Sequence, residues 1–119
     1  MVGQDLGRYG ELLFAMNAIE NGLNVLHPDS QIGYDFVVEY QGKFTRVQVK
    51  STLFVKAKNI YAFDVRSRSM GSDVYVFVIL NEGVFVMYKT DEVKRVKRTF
   101  TINLNFNNNN LNNWDIFKT

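Results

Sequence analysis

Cysteine is absent from the sequence, and its absence excludes several kinds of functional site. The chain can form no disulfide framework, no thiolate metal site and no cysteine nucleophile. Histidine occurs once, at His27, so a histidine metal cluster is excluded as well, and we expect His27 to be structural or on the surface. Any metal ion that the protein binds must therefore be held by oxygen atoms.

Long apolar runs are missing too. No stretch approaches the roughly 18 apolar residues of a membrane-spanning helix, and no basic region followed by an apolar run opens the chain. We therefore expect an intracellular, soluble protein of the cytoplasm with no membrane partner. The chain has 119 residues, of which 46% are hydrophobic, and we expect residues 1–119 to form a single domain.

The net charge of +2 is small, but the charges are unevenly distributed along the chain. Residues 1–42 carry a net charge of −5, residues 43–68 carry +6, and residues 89–98 carry +3. A basic band of this kind is expected of a surface that meets phosphate groups, although an ordinary solvated face can have the same composition.

The most informative stretch is Ile32–Thr52, in which two strand-like runs flank Gln41-Gly42. Glycine permits the positive φ that a tight hairpin turn needs. If these two residues form the turn, the numbers of opposed residues sum to 83, as for Tyr40 and Lys43. The two runs that become paired strands are Tyr34–Tyr40 and Lys43–Lys50.

This register predicts three polar side chains together on one face of the hairpin. Asp35 would lie directly opposite Gln48, and Lys50 would be a diagonal neighbour of Asp35. The other face would carry core residues, namely Phe36, Val38, Tyr40, Val47 and Val49. An acid, an amide and an ammonium group would thus interrupt an otherwise well-formed sheet.

Apolar side chains recur at helical spacing over Leu6–Asn21, which predicts a helix there. Glu11 shares a stripe with Ala15 and Ala18, small residues that allow a helix to lie close to a sheet. The Glu11 carboxylate is therefore predicted to face the packed side. There it would either pair with a base such as Arg8 or serve a metal ion or a water molecule.

Alternation and turn signals predict further elements. The predicted strands are Leu23–His27, a hairpin within Phe54–Arg66, Asp73–Leu80, Val84–Tyr88 and Thr99–Phe106. The third of these is nearly all apolar and should be buried on both faces. A helix is predicted to begin at Thr90.

An asparagine run and then apolar residues close the chain, and we expect residues 99–119 to be a docking or an oligomerisation segment. The apolar residues available for either role are Phe100, Ile102, Leu104, Phe106, Trp114, Ile116 and Phe117.

The pattern D-x12-Q-x-K formed by Asp35, Gln48 and Lys50 resembles the active-site hairpin of the PD-(D/E)XK nuclease superfamily. It is most similar to the homing endonucleases associated with group I introns, in which glutamine replaces the second acid. The resemblance covers about residues 5–80 and includes the G-x-x-G-E motif that ends at Glu11. Tyr34 stands where the family has proline, and Asp29 of the Pro28-Asp29 pair lies in a turn-like stretch, so Asp35 is the preferred acid.

The resemblance implies an α/β fold with a restriction-endonuclease-like core, in which helices flank a central mixed β-sheet. It implies a metal-dependent DNA endonuclease that hydrolyses phosphodiester bonds, of the homing or restriction-like type. Two alternatives remain open. One is a resolvase of branched DNA of the Holliday-junction type, and the other is a catalytically silent DNA-binding module in which Asp35 and Lys50 form a cross-strand ion pair.

The resemblance also implies a cofactor and roles for individual residues. The metal would be Mg²⁺, with Mn²⁺ able to substitute, held by Asp35, the Gln48 side chain, the Val49 carbonyl and Glu11. Lys50 would orient or help to deprotonate the attacking water and stabilise the charge on phosphorus oxygens. The catalytic set is therefore Glu11, Asp35, Gln48 and Lys50.

DNA is the partner that the resemblance implies, and the basic band supplies residues for it. The candidates for contact with DNA are Lys43, Arg46, Lys56, Lys58, Arg66 and Arg68. One active site breaks one strand, so we expect a homo-oligomer, either a dimer or a tetramer.

Overall fold

The computed structural model describes residues 3–28, 33–53, 55–65, 71–93, 97–105 and 109–119. Its elements in chain order are α1 (Gly3–Glu20), β1 (Asn24–Leu26), β2 (Phe36–Tyr40), β3 (Lys43–Thr52), β4 (Val55–Ala57), β5 (Ile60–Asp64), β6 (Val74–Ile79), β7 (Val84–Lys89), α2 (Thr90–Val93), β8 (Thr99–Asn103) and a 3-10 helix (Trp114–Phe117). Among these described residues, no helix is long and apolar enough to cross a membrane.

The main sheet has five strands in the order β1-β2-β3-β6-β7. Only the β3–β6 pair is parallel, so the sheet is mixed, as predicted. The β2–β3 hairpin has the predicted register, from Tyr40 opposite Lys43 to Phe36 opposite Val47. Its turn has positive φ at Gln41 (49°) and Gly42 (83°), the geometry that suits the twist of a two-residue hairpin.

Each face of the main sheet has its own core. The helix-side core lies under α1, and its buried members include Phe14, Ala18, Phe36, Val38, Val47 and Val49. The second-sheet core lies between the other face and the three-stranded sheet β4-β5-β8, and its buried members include Tyr61, Phe63, Tyr75, Phe77, Ile79 and Ile102. Every residue of β6 is buried, because β6 contributes alternate side chains to both cores.

Several predicted boundaries differ from the structure. The helix α1 begins three residues earlier than predicted, and β1 is shorter by one residue at each end. The strand β2 begins at Phe36 rather than Tyr34 because, beyond that residue, the Asp35 carboxylate accepts the hydrogen bond of the Val49 amide in place of a backbone carbonyl. The predicted helix at Thr90 does begin there, but it ends at Val93 in the described residues, and Lys94 and Arg95 lie outside them.

The last part of the chain packs against its own body. The strand β8 pairs with β5, and Ile102 is buried in the second-sheet core, where Phe100 stacks on Phe77 with ring centroids 4.9 Å apart. Trp114 stacks on Phe14 with centroids 5.7 Å apart, and Phe117 is 1% exposed. The partly buried Leu104 and Ile116 also pack against the two cores, which agrees with the docking alternative, and Phe106 lies outside the described residues.

The asparagine-rich segment closes one edge of the main sheet. Met87 donates its amide to the Asn110 carbonyl at 3.0 Å, and the Asn110 side chain donates to the Met87 carbonyl at 2.7 Å. Asn112 likewise exchanges two hydrogen bonds with Phe85, one of them through its side-chain oxygen. Backbone and amide groups of the tail thus satisfy the outer side of β7, which would otherwise be an open strand edge.

Candidate active site

The candidate site lies where β2 stops pairing with β3. Asp35 still donates its backbone amide to the Val47 carbonyl at 2.8 Å. Its side-chain Oδ2 accepts a hydrogen bond from the Val49 amide at 2.8 Å. In a continued antiparallel ladder, a backbone carbonyl of β2 would accept this hydrogen bond instead. The prediction that Asp35 would sit opposite Gln48 inside the ladder is therefore wrong in detail, since the ladder ends at Phe36 and the carboxylate itself completes the pairing.

This contact also indicates where the Val49 carbonyl points. Within a strand, the N–H and C=O of one residue point to the same side. The Val49 amide points at Asp35, so its carbonyl is directed toward the same gap between β2 and β3. Two groups with oxygen atoms that can ligate a metal ion, one carboxylate and one backbone carbonyl, thus face the same gap.

Gln48 and Lys50 project from the face of the sheet that carries the second-sheet core. They pair in parallel register with Tyr75 and Phe77, whose side chains belong to that core, and directly paired residues project to the same side. Both side chains are partly buried. The prediction that these two side chains share a face is consistent with this register.

Glu11 reaches the site from the opposite face, because α1 packs on the helix-side core. The Glu11 side chain is partly buried, and Ala18 of the same stripe is fully buried, as the small-residue stripe predicted. The four predicted catalytic residues therefore do not lie on one face. Glu11 belongs to the helix side of the sheet and Gln48 and Lys50 to the other side, and the charge of Asp35 interacts with those of Glu11 and Lys50.

Electrostatic interactions connect three of these residues. Burial, and secondarily the nearby charge of Asp35, raise the pKa of the Glu11 carboxyl, while Arg8 lowers it in part. Burial also raises the pKa of Asp35, against the opposing effects of the Val49 hydrogen bond and the Lys50 charge. Two carboxylates that repel each other and are both partly desolvated favour a bound cation or proton.

The oxygen ligands available at this gap suit a hard divalent ion. Among the described residues there is no cluster of three or more His, Cys, Asp or Glu side chains, so an all-carboxylate cage is excluded there. Two carboxylates, the Gln48 amide oxygen and the Val49 carbonyl are nevertheless all oxygen ligands, and Mg²⁺ needs only one or two protein carboxylates. Burial and the nearby charge of Asp35 both raise the pKa of the Glu11 carboxyl, and a bound divalent ion would favour its ionised form again.

The predicted DNA-contacting residues occupy different environments. Lys56 and Lys58 are exposed near the tip of the β4–β5 hairpin. The Lys43 ammonium donates to the Ile116 carbonyl at 3.5 Å and to the Thr119 carbonyl. Arg66 and Arg68 lie outside the described residues.

Arg46 has a partner that its position in the basic band did not indicate. Its guanidinium makes two hydrogen bonds with Asp73, Nε to Oδ2 at 3.1 Å and Nη2 to Oδ1 at 3.0 Å. Asp73 also accepts the Arg46 amide, and these hydrogen bonds lower the pKa of the Asp73 carboxyl. Arg46 therefore carries a largely compensated charge, which a count of basic residues could not reveal.

His27 has a structural contact, as predicted. Its ring meets Phe36 edge-on with centroids 4.9 Å apart, immediately before the end of the described segment at Pro28. It thus packs against the first residue of β2, one residue from Asp35.

Residues 1–102 match the family described as PD-(D/E)XK endonuclease. No curated protein matches the chain significantly. The solved structure of a bacterial homing endonuclease, I-Ssp6803I, is similar in fold, with a TM-score of 0.85 at 20% sequence identity over 98% of this chain and 92% of that one. The predicted restriction-endonuclease-like α/β fold is thereby confirmed.

Proposed function

Because the chain belongs to the PD-(D/E)XK endonuclease family, whose members use divalent metal ions, we propose that it is a Mg²⁺-dependent DNA endonuclease of the homing type. DNA cleavage itself follows from the family. The homing assignment is supported by the likeness to a bacterial homing endonuclease over nearly the whole of both chains. The catalytic assignment is supported by the hydrogen bond between the Asp35 carboxylate and the Val49 amide where β2 leaves β3, together with the effects of the Asp35 charge on the pKa of Glu11 and of the Lys50 charge on the pKa of Asp35.

Asp35 and Glu11 are the proposed anionic ligands of the metal, with the Gln48 amide oxygen and the Val49 carbonyl as neutral ligands. When bound, Mg²⁺ would supply charge neutralisation for the phosphate and a more acidic water. The Val49 amide fixes one oxygen of Asp35 through its hydrogen bond, which leaves the other oxygen for the substrate side of the gap. A carboxylate fixed in this way is oriented before substrate arrives.

Lys50 is the proposed residue for contact with the reacting phosphate. Its ammonium group can donate to the attacking water or to a phosphate oxygen, and its charge opposes the negative charge that grows on that group during hydrolysis. The position of Lys50 near Asp35 is supported by the effect of its charge on the pKa of that carboxyl.

The first experiment compares DNA substrates and metal ions. Purified protein is incubated with linear, supercoiled and branched DNA in the presence of Mg²⁺, Mn²⁺ or a chelator. We expect duplex cleavage with either metal and none with the chelator. Selective cleavage at the branch point would support the resolvase alternative, and failure to cut any DNA with either metal would contradict the proposed function.

The second experiment assigns the residues. Lys50→Ala should reduce cleavage by about two to four orders of magnitude, the range for loss of one electrostatic or acid–base group. Lys118→Ala is a matched control, because Lys118 lies over the Tyr40 ring at 5.4 Å, on the helix-side face. Equal activity of the two variants would contradict the role of Lys50.

DNA is proposed to approach over the second sheet. This sheet lies on the face from which Gln48 and Lys50 project, and its β4–β5 hairpin presents Lys56 and Lys58 to solvent. Arg66 and Arg68 lie outside the described residues and stay candidates for DNA contact because they belong to the same basic band of the sequence. Arg46 is proposed as a weaker contributor because Asp73 already binds it.

The working unit is proposed to be a homo-oligomer, since double-strand cleavage by single sites needs two copies. Most of the described apolar side chains of the tail pack against the body of the chain, so the tail is not the surface that we propose for this contact. Large apolar side chains that remain exposed on α1 are Tyr9, Leu12, Met16 and Ile19, spaced by three, four and three residues along one stripe. This stripe, opposite the face that carries Glu11, is the surface we propose for contact with a second copy.

A further inference from the structure

Gly10 of α1 lies in unusually close contact with Ser51 of β3. A Cβ atom built on Gly10 would stand 1.7 Å from the Ser51 Oγ and 2.8 Å from its Cβ. Real Cβ atoms essentially never approach other atoms this closely, so a larger residue at position 10 requires the helix or the strand to move. Gly10 is buried, and the contact is therefore part of the packed interior.

The two residues of this contact are sequence neighbours of the candidate site. Gly10 precedes Glu11, and Ser51 follows Lys50. The contact thus sets the distance between the backbone that carries Glu11 and the strand that carries Gln48, Val49 and Lys50. We propose that Gly10 and Ser51 are positioning residues, which hold Glu11 in reach of the metal ligands by allowing α1 to approach β3 at this point. The proposal rests on the function proposed above.

For the contact with Gly10, the size of residue 51 is the property that matters. The Ser51 Oγ is buried and makes no hydrogen bond to any residue that the structure describes. A buried hydroxyl without a partner is unfavourable, so its chemistry gives no reason to retain it. What Ser51 provides is a side chain small enough to lie beneath a helix at Gly10.

Gly7 provides a matched control on the same helix, one turn earlier. A Cβ atom built on Gly7 would meet no atom within 4 Å. Both Gly7→Ala and Gly10→Ala replace a helical glycine by the best helix former, so their effects on helix propensity should be the same. Any difference between the two variants then reports the contact with Ser51.

The experiment uses the full chain and five variants: Gly7→Ala, Gly10→Ala, Ser51→Ala, Ser51→Gly and the double variant Gly10→Ala/Ser51→Gly. Each is measured for kcat and KM on duplex DNA, for thermal unfolding, and for Mg²⁺ and Mn²⁺ affinity by calorimetry without DNA. Metal affinity is a readout that a purely structural role of Gly10 would not change in a folded protein.

We expect Gly7→Ala to unfold at a higher temperature than the parent and to keep its kcat and metal affinity. Gly10→Ala should unfold at a lower temperature, lose about 100-fold in kcat with little change in KM, and bind metal about 10-fold more weakly, as misplacement of a ligand by about 1 Å does. The double variant should recover to within about fivefold of Ser51→Gly, because the obstructing side chain is gone.

Three results would overturn the proposal. The first is a Gly10→Ala protein with the parent's kcat and metal affinity, and the second is a double variant that is folded but no more active than Gly10→Ala. A loss of activity in Ser51→Ala equal to that in Gly10→Ala would also overturn it, since the hydroxyl would then have a role of its own. If Gly10→Ala does not fold, a folded double variant with the activity of Ser51→Gly supports the proposal.

The outcome also separates this inference from the proposed function. A parent protein that cuts no DNA, but whose metal affinity falls on Gly10→Ala and returns in the double variant, contradicts the proposed reaction and supports the positioning role. If the parent protein cuts DNA and Gly10→Ala changes neither its kcat nor its metal affinity, the result supports the proposed reaction and contradicts the positioning role.

Discussion

Replacement of Asp35 should separate the stability of the protein from its activity. The carboxylate binds the Val49 amide at 2.8 Å, and removal of an acceptor from a partly buried amide costs about 1–3 kcal/mol. At roughly 4 °C per kcal/mol for a domain of this size, Asp35→Ala should lower the melting temperature by about 4–12 °C. Asp35→Asn keeps an oxygen in the same place and can still accept the Val49 amide.

Asp35→Asn should therefore be inactive but at least as stable as the parent at neutral pH. Burial raises the pKa of Asp35, and its charge also raises the pKa of Glu11. A raised pKa means that the folded state prefers the neutral carboxyl, so ionised Asp35 lowers the free energy of unfolding at neutral pH. The amide removes this cost and the repulsion with Glu11. The stability difference between parent and Asp35→Asn should shrink as the pH falls through the raised pKa, because the parent then becomes neutral at this position.

Urea unfolding from neutral pH down to about pH 4, together with DNA cleavage at neutral pH, tests this reasoning. The reasoning is refuted if Asp35→Asn is less stable than Asp35→Ala at neutral pH, or if the advantage of Asp35→Asn over the parent grows as the pH falls. Cleavage by Asp35→Asn at the parent rate would refute the catalytic role alone.

Three further predictions concern metal, DNA and assembly. Gln48→Glu adds a negative charge to the ligand set, so calorimetry should show tighter Mg²⁺ binding, and unchanged or weaker binding would contradict ligation by Gln48. Replacement of Lys56 and Lys58 by alanine should flatten the dependence of log affinity for duplex DNA on log salt by about 1.8, and Lys118→Ala should leave it unchanged; equal slopes for both would place the hairpin away from DNA. Light scattering should show at least a dimer for the parent and a monomer for Met16→Glu, and a monomeric parent would contradict the proposed assembly.

The hairpin register was predictable from sequence because it depends on local features. A glycine in a two-residue turn determines which residues of β2 and β3 face each other, and the observed pairs agree from Tyr40 to Phe36. The same rules treat Asp35 as one more strand residue. They could not predict that its side chain would replace a ladder carbonyl, because a short polar side chain competes with the backbone only in a specific three-dimensional setting.

Residues far apart in sequence account for the remaining differences. Arg46 was assigned to a DNA surface from charge density, but Asp73, 27 residues later, binds its guanidinium. Apolar residues of the tail fit equally well on a second subunit or on the body, and only the positions of Phe14 and Phe77 decide for the body. Contacts of this kind depend on how whole helices and strands pack together. The alternation of residues within one segment carries no information about that packing.

The glutamine in the proposed ligand set would make the approach of α1 more important than it would be with a second acid on β3. Gln48 would contribute an oxygen but no charge, so Asp35 and Glu11 would supply all the negative charge expected around a divalent ion. One oxygen of Asp35 is already occupied by the Val49 amide, and Glu11 comes from a different element on the opposite face of the sheet. The second charge at the site therefore depends on how closely a helix packs on a strand. The contact of Gly10 with Ser51 controls that packing, and an acid introduced at position 48 should make the enzyme less sensitive to Gly10→Ala.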